Sequence, residues 1–166
     1  MTTQPNDATF GLTIYSGGQT GADRAALDWA ISENIPHGGW CPKGRKAENG
    51  PIPERYQLQE TVSTGYAERT ERNVMEADAT VVFTLQQRLS SGSALTYSLA
   101  TMYRKPVLHL HEDTVEPGRR LAAFIRQNRV KILNVAGPRA SSAPGISSFV
   151  ANTLDKALHE LRKCTR

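Results

Sequence analysis

The sequence predicts a doubly wound α/β domain, a central and mostly parallel sheet of about five strands with helices on both faces. Three observations predict it. Short apolar runs alternate with helical stretches five times along 166 residues. The first run, Phe10 to Tyr15, passes through a glycine-rich turn straight into a stretch of helical spacing. Thr80 to Leu85 (TVVFTL) is apolar enough for a strand covered on both faces, as parallel sheets require.

Residues 1–9 are polar and are expected to form a disordered lead, with one domain over 10–166. The first strand spans 10–16. The first helix follows over 22–33 and buries Ala26, Leu27, Trp29, Ala30 and Ile31, with Asp23 in its first turn and Asn34 as C-terminal cap. Ile35 to Trp40 reads as a short second strand. From Cys41 to Pro53, two glycines and three prolines mark a loop, longer than most connections and therefore a functional candidate. Residues 54–64 give only weak signals. Tyr66 to Ala77 reads as the second helix and Thr80 to Leu85 as the third strand. Gly92 and Ser93 open a helix over Ala94 to Tyr103. Pro106 to Leu110 is the fourth strand, a helix runs from Pro117 or Gly118 to Asn128, and Lys131 to Val135 is the fifth strand. After a Gly/Pro/Ser loop, Ile146 to Lys163 forms the last helix, with Phe149, Val150, Leu154, Leu158 and Leu161 near helical spacing.

Hydrophobic residues make up 39% of the chain and charged residues 22%, the balance of an ordinary soluble protein. The net charge of +4 and the pI near 9.3 admit a polyanionic partner. The basic residues are scattered and aromatics reach only 7%, which argues against nucleic acid and for a small anionic ligand. Cys41 and Cys164 have neither CxxC nor metal spacing and fit a reducing compartment. No apolar stretch of about 20 residues and no signal-peptide pattern is evident, so a cytoplasmic protein without a membrane partner is expected.

The turn Gly17-Gly18-Gln19-Thr20-Gly21 is the first candidate site. Its spacing is G-G-x-x-G, so it matches neither the dinucleotide fingerprint nor the P-loop. Its glycines let backbone approach a ligand, and the helix start behind it favours an anion. Gln19 and Thr20 add side-chain donors. Arg24 can reach back to the anion or pair with Asp28. In a doubly wound sheet, ligands bind beyond the carboxyl ends of the strands where the strand order reverses. With order 2-1-3-4-5 or a relative, the first and third strands are neighbours there, which brings in the Ser91-Gly92-Ser93 turn. Lys43 and Arg45 in the long loop, Arg69 and Asn73 one helical turn apart, and Arg139 after the fifth strand complete the candidate anion-binding set. Cys41 could approach a soft metal, and His109 and His111 share one side of a strand. Neither comes with further ligands, so no metal site is assigned, and no catalytic residue.

Seven stretches, SGGQTGADRAALDWA, GGWCPKGRKAENGPIPERY, YAERTERNV, DATVVF, SGSALT, KPVLHL and LNVAGPRASSAPGI, span about residues 12 to 160. Together they resemble the molybdenum cofactor carrier protein-like family, related to the Rossmann-like nucleotide-binding proteins that include the lysine decarboxylase-like (LOG) group. The resemblance implies a Rossmann-like fold and binding of molybdenum cofactor, the molybdopterin dithiolene with its phosphate and oxo-molybdenum. It also implies storage or delivery of that cofactor to molybdoenzymes, and a homo-oligomer, a tetramer. Molybdate or a nucleotide are the other ligands it leaves open. The chain departs from the family pattern in two places. Arg72 stands where an aromatic often precedes Asn73, and Ser91-Gly92-Ser93 replaces Gly-Gly-Thr. Enzymatic relatives carry a glutamate after that turn, whereas this chain has Leu95, Thr96 and Tyr97.

The expected function is a carrier that holds an anionic pterin cofactor in a crevice of glycine-rich loops, without covalent chemistry. The alternative is a nucleotide- or nucleoside-binding hydrolase of the phosphoribohydrolase type. That reaction needs a carboxylate at the crevice, for which Asp23, Glu68 and Glu71 are the candidates.

Overall fold

The computed structural model describes residues 10–163, so the expected disordered lead lies outside the described residues. The elements are β1 (Thr13–Tyr15), α1 (Ala22–Ser32), β2 (His37–Gly38), β3 (Trp40–Cys41), β4 (Gln59–Glu60), α2 (Tyr66–Glu76), β5 (Ala79–Thr84), α3 (Ser91–Met102), β6 (Val107–His111), α4 (Pro117–Gln127), β7 (Ile132–Ala136) and α5 (Ile146–Lys163). Five strands form one parallel sheet in the order β2-β1-β7-β5-β6, and β3 and β4 form a separate parallel pair. α5 packs against α1 and α4, while α2 and α3 pack against each other. This is the doubly wound, Rossmann-like α/β arrangement.

Every residue of β5 is buried, as its apolar sequence demands of a central strand. Phe83 of β5 meets Phe149 of α5 edge to face, with ring centroids 5.5 Å apart. α5 keeps its expected bounds because Val150, Leu154, Ala157, Leu158 and Leu161 give it one continuous buried stripe. Asn34 takes the left-handed φ of 56° expected of a residue that closes a helix.

The strand order differs from the 2-1-3-4-5 expectation. The last strand, β7, sits between β1 and β5, pairing Ile14 with Leu133 and Thr80 with Asn134. The first and third long strands are therefore separated. β6 is only half-buried along most of its length, as befits an edge, whereas the middle of β7 is fully buried. The amide of Asn134 donates to Thr80 Oγ1 at 3.2 Å, so the one polar residue inside β7 is satisfied by its neighbouring strand.

The expected second strand is split. Gly39 has φ +122°, and a Cβ there would lie 2.5 Å from the Ser16 carbonyl oxygen. The chain turns at this glycine from β2 in the large sheet to β3 in the small one, and β4 comes from the weakly patterned 54–64 stretch. Asn73 clamps the break by accepting from the Trp40 amide at 2.8 Å and donating to the Trp40 carbonyl at 3.0 Å. The long loop after β3 has its own small core of Leu27, Cys41, Ala47, Ile52 and Tyr56.

Candidate anion-binding cleft

A cleft of about 260 Å3 opens beyond the carboxyl ends of β1, β7 and β5. Gly17 and Gln19 come from the turn after β1, and Gly137, Pro138 and Arg139 from the loop after β7. Ser90 to Ser93 bring the start of α3, and Tyr66, Arg69, Thr70 and Asn73 bring one face of α2. The insertion of β7 is what collects these loops. The loop after β7 lies between the other two, so three strand ends feed one opening rather than two.

No side chain caps α1, α2 or α3, and of these three helix starts only that of α3 carries no acid in its first turn. Its leading amides have no acceptor within the helix, and the dipole there favours negative charge. α1 is different. Its Ala22 amide donates to the Pro138 carbonyl at 3.2 Å, and its Arg24 amide to the Gln19 carbonyl at 3.1 Å. Asp23 in its first turn adds a carboxylate. Helix-start amides therefore stand open to the cleft at α3, whereas those of the first glycine turn are engaged.

Of the residues singled out from sequence, Gly17, Gln19, Arg69, Asn73, Ser91, Gly92, Ser93 and Arg139 line the cleft together. Gly18, Thr20, Gly21, Arg24, Lys43 and Arg45 do not. Gly18 is covered by the side chains of Ile52 and Leu58. Gly21, at φ +82°, lies against the Pro138–Ala140 backbone, where a Cβ would come within 2.5 Å of the Pro138 oxygen. The Thr20 hydroxyl donates to Glu48 and accepts from the Ala140 amide at 3.1 Å. Arg24 Nε donates to the Gly18 carbonyl at 3.0 Å. Asp28, one of the two partners open to Arg24 from sequence, pairs instead with Arg55 at 3.2 Å. Lys43 is exposed. Arg45 donates to the carbonyls of Ile52, Pro53 and Tyr56 at 2.8 to 2.9 Å, so its fork holds the long loop in shape.

Arg69 is nearly buried. Its Nη1 donates to the Gly17 carbonyl at 2.7 Å and lies 3.8 Å from Asp23 Oδ2. Burial pushes the Asp23 carboxyl up, and the nearby Arg69 charge only partly opposes it. At the cleft mouth, Lys46, Arg69 and Arg139 gather around the Tyr66 ring at 5.2, 5.1 and 5.6 Å. The arrangement presents positive charge and unpaired amides at one rim, with a buried carboxylate behind.

Sequence reasoning overlooked Tyr66 and Asn134 as lining residues. A polar residue inside an apolar strand was the available signal for Asn134. Glu48 had none. Its carboxylate accepts from the hydroxyls of Thr20 and Ser141, and its amide donates to Gln19 Oε1 at 2.9 Å, clasping three loops together. Cys41 is buried in the small core, which pushes its thiol up. His109 Nε2 lies 2.6 Å from Thr84 Oγ1, and its ring is 5.8 Å from that of His111. Among the described residues, no three His, Cys, Asp or Glu side chains are grouped to hold a metal. No helix among them is long and apolar enough to cross a membrane.

Residues 14–158 match the circularly permutated YpsA SLOG family. The chain belongs to that family. A solved structure within reach of this SLOG chain is that of a "putative molybdenum carrier protein" from Syntrophus aciditrophicus SB, at 1.45 Å resolution. The two are 46% identical, with a TM-score of 0.83 over 88% of this chain and 94% of that one. No curated protein matches the chain. The sheet suits a permuted SLOG fold, because its first and last strands, β1 and β7, are paired neighbours.

Proposed function

We propose that this SLOG protein is a carrier that binds an anionic pterin cofactor, molybdenum cofactor, in the cleft at the carboxyl rim of the sheet. The observation that carries the proposal is the uncapped start of α3 facing Arg69 and Arg139 across one opening. Such a rim suits a phosphate, with amides and hydroxyls of Ser91 to Ser93 on one side and guanidinium groups on the other. The Tyr66 ring gathers Lys46, Arg69 and Arg139 over it and so concentrates positive charge at this mouth. No cysteine or histidine lines the cleft. The residues present therefore fit a cargo that brings its metal on its own dithiolene, and they hold it through its organic part. The name given to the related solved structure supports the same reading.

A hydrolase acting on nucleotides is the second reading, and one observation favours it: Asp23 puts a carboxylate in the cleft wall beside Arg69. Glu68 accepts from the Ser63 amide, Glu71 accepts from the Tyr103 hydroxyl, and neither lines the cleft. We also propose a homo-oligomer, a tetramer by the family resemblance, since Leu95, Tyr97 and Met102 leave α3 with exposed apolar side chains. A cytoplasmic setting, with molybdoenzymes as recipients, goes with the carrier reading, and the unpaired Cys41 is consistent with it.

The test is to incubate the purified protein with cofactor released from a molybdoenzyme, and separately with nucleoside monophosphates. After gel filtration, pterin and molybdenum co-eluting with the protein support the carrier. Release of free base from a nucleotide overturns it in favour of the hydrolase.

A further inference from the structure

Gln19 is buried to all but 5% of its surface and lines the cleft, yet its amide nitrogen has no hydrogen-bond partner. The orientation of that amide is determined by its surroundings. Its oxygen accepts from the Thr20 amide at 3.0 Å and from the Glu48 amide at 2.9 Å. The nitrogen, a donor only, is therefore the end left over. Buried donors without acceptors are rare in native proteins, and one in a cleft wall calls for an acceptor from a ligand. Asp23 lies beside it in the same wall, its Oδ2 accepting from the Gln19 backbone amide at 3.2 Å. An unpartnered buried donor and a carboxylate thus belong to one cleft wall, held together through the Gln19 backbone amide.

We propose that Gln19 and Asp23 read a lactam edge of the bound heterocycle: Gln19 Nε2 donates to a ring carbonyl oxygen, and the Asp23 carboxylate accepts from the adjacent ring N–H. The proposal rests on the cleft being the cofactor seat and specifies what it recognises there. A 4-oxo pteridine carries that edge. A 4-amino pteridine carries the reverse pattern, an amino donor facing Gln19 and a bare ring nitrogen facing Asp23, which leaves two pairs mismatched in a desolvated site. The phosphate rim takes no part in this discrimination.

The test compares 6-hydroxymethylpterin with 2,4-diamino-6-hydroxymethylpteridine, two uncharged-tail probes that lack phosphate and differ at that edge. Binding is measured by ligand fluorescence or ligand-observed NMR. The native protein is expected to prefer the oxo compound by about tenfold or more. Gln19→Glu keeps an oxygen for the Thr20 and Glu48 amides but replaces the donor with an acceptor, so the preference should vanish or invert. A thermal unfolding scan reports whether that variant folds, and if it does not, the native ratio alone decides. Equal binding of the two probes, an unchanged ratio in folded Gln19→Glu, or no binding of either overturns the proposal. Cofactor retention is scored in parallel. Retention with equal probe binding leaves the carrier reading standing and removes the lactam edge. A clear oxo preference without cofactor retention does the reverse.

Discussion

Arg69 Nη1 donates to the Gly17 carbonyl at 2.7 Å, joining the middle of α2 to the turn after β1 across 52 positions of sequence. The same guanidinium stands 3.8 Å from Asp23. One side chain thus orders the inner wall of the cleft and contributes its charge.

Arg69→Met should leave the Gly17 carbonyl and the Asp23 carboxylate buried without their partner. Unpairing a buried ion pair typically costs about 3 to 5 kcal/mol, and the open side of the cleft places this case at about 3 kcal/mol. Urea unfolding of the variant against the native protein measures it. A loss below about 1 kcal/mol would mean that water replaces the guanidinium there.

Gly21 and Gly44 both have positive φ, +82° and +78°, but only Gly21 is crowded. Gly44→Ala carries the left-handed strain alone and should cost about 1 to 2 kcal/mol. Gly21→Ala adds overlap with the Pro138–Ala140 backbone, which has no rotamer to yield, so it should cost more than about 3 kcal/mol or prevent folding. Equal thermal shifts for the two variants would contradict the packing of the β7 loop on α1.

Glu48 is held below the usual carboxylate range by the hydroxyls of Ser141 and Thr20. A folded pKa depressed below its unfolded value contributes stability above the unfolded pKa and loses it as pH falls through the folded one. The three-loop clasp should therefore hold at neutral pH and loosen below about pH 4.5. Limited acid proteolysis should cut the 42–53 loop faster as pH drops through that range. Glu48→Gln should cut at a rate much less dependent on pH.

Arg139 is exposed at the cleft mouth, 5.6 Å from the Tyr66 ring. Arg139→Ala should change unfolding stability by no more than about 0.5 kcal/mol, as surface substitutions do. Its effect belongs to binding. Losing one charge-assisted contact should weaken retention of a phosphate-bearing ligand by about tenfold to a hundredfold and flatten its dependence on salt. Unchanged affinity would place the phosphate elsewhere.

Much of this was legible from local chemistry. α5 and β5 follow their apolar patterning because each needs only to know which of its own faces is covered. Ser91 to Ser93, Arg69 and Arg139 were legible as donor and basic residues at the ends of elements, and they do line one opening, because donor type and position at an element's end are local properties. Strand order is not local. β6 and β7 are similar apolar runs, and which becomes an edge depends on what the rest of the chain covers. The partners of Arg45, Thr20 and Glu48 were equally invisible, since each bond joins loops that meet only once the sheet is assembled.

The sequence by itself determined an α/β fold, its helices, and a rim rich in hydrogen-bond donors and basic side chains, because periodicity and turn chemistry act over a few residues. Tertiary structure alone decided that β7 enters between β1 and β5. That single insertion closes the α1 turn against the β7 loop, leaves the start of α3 open, and sets Gln19 with an unmatched donor in the wall. Each of those outcomes depends on contacts between segments far apart in the chain, where no local pattern carries the information.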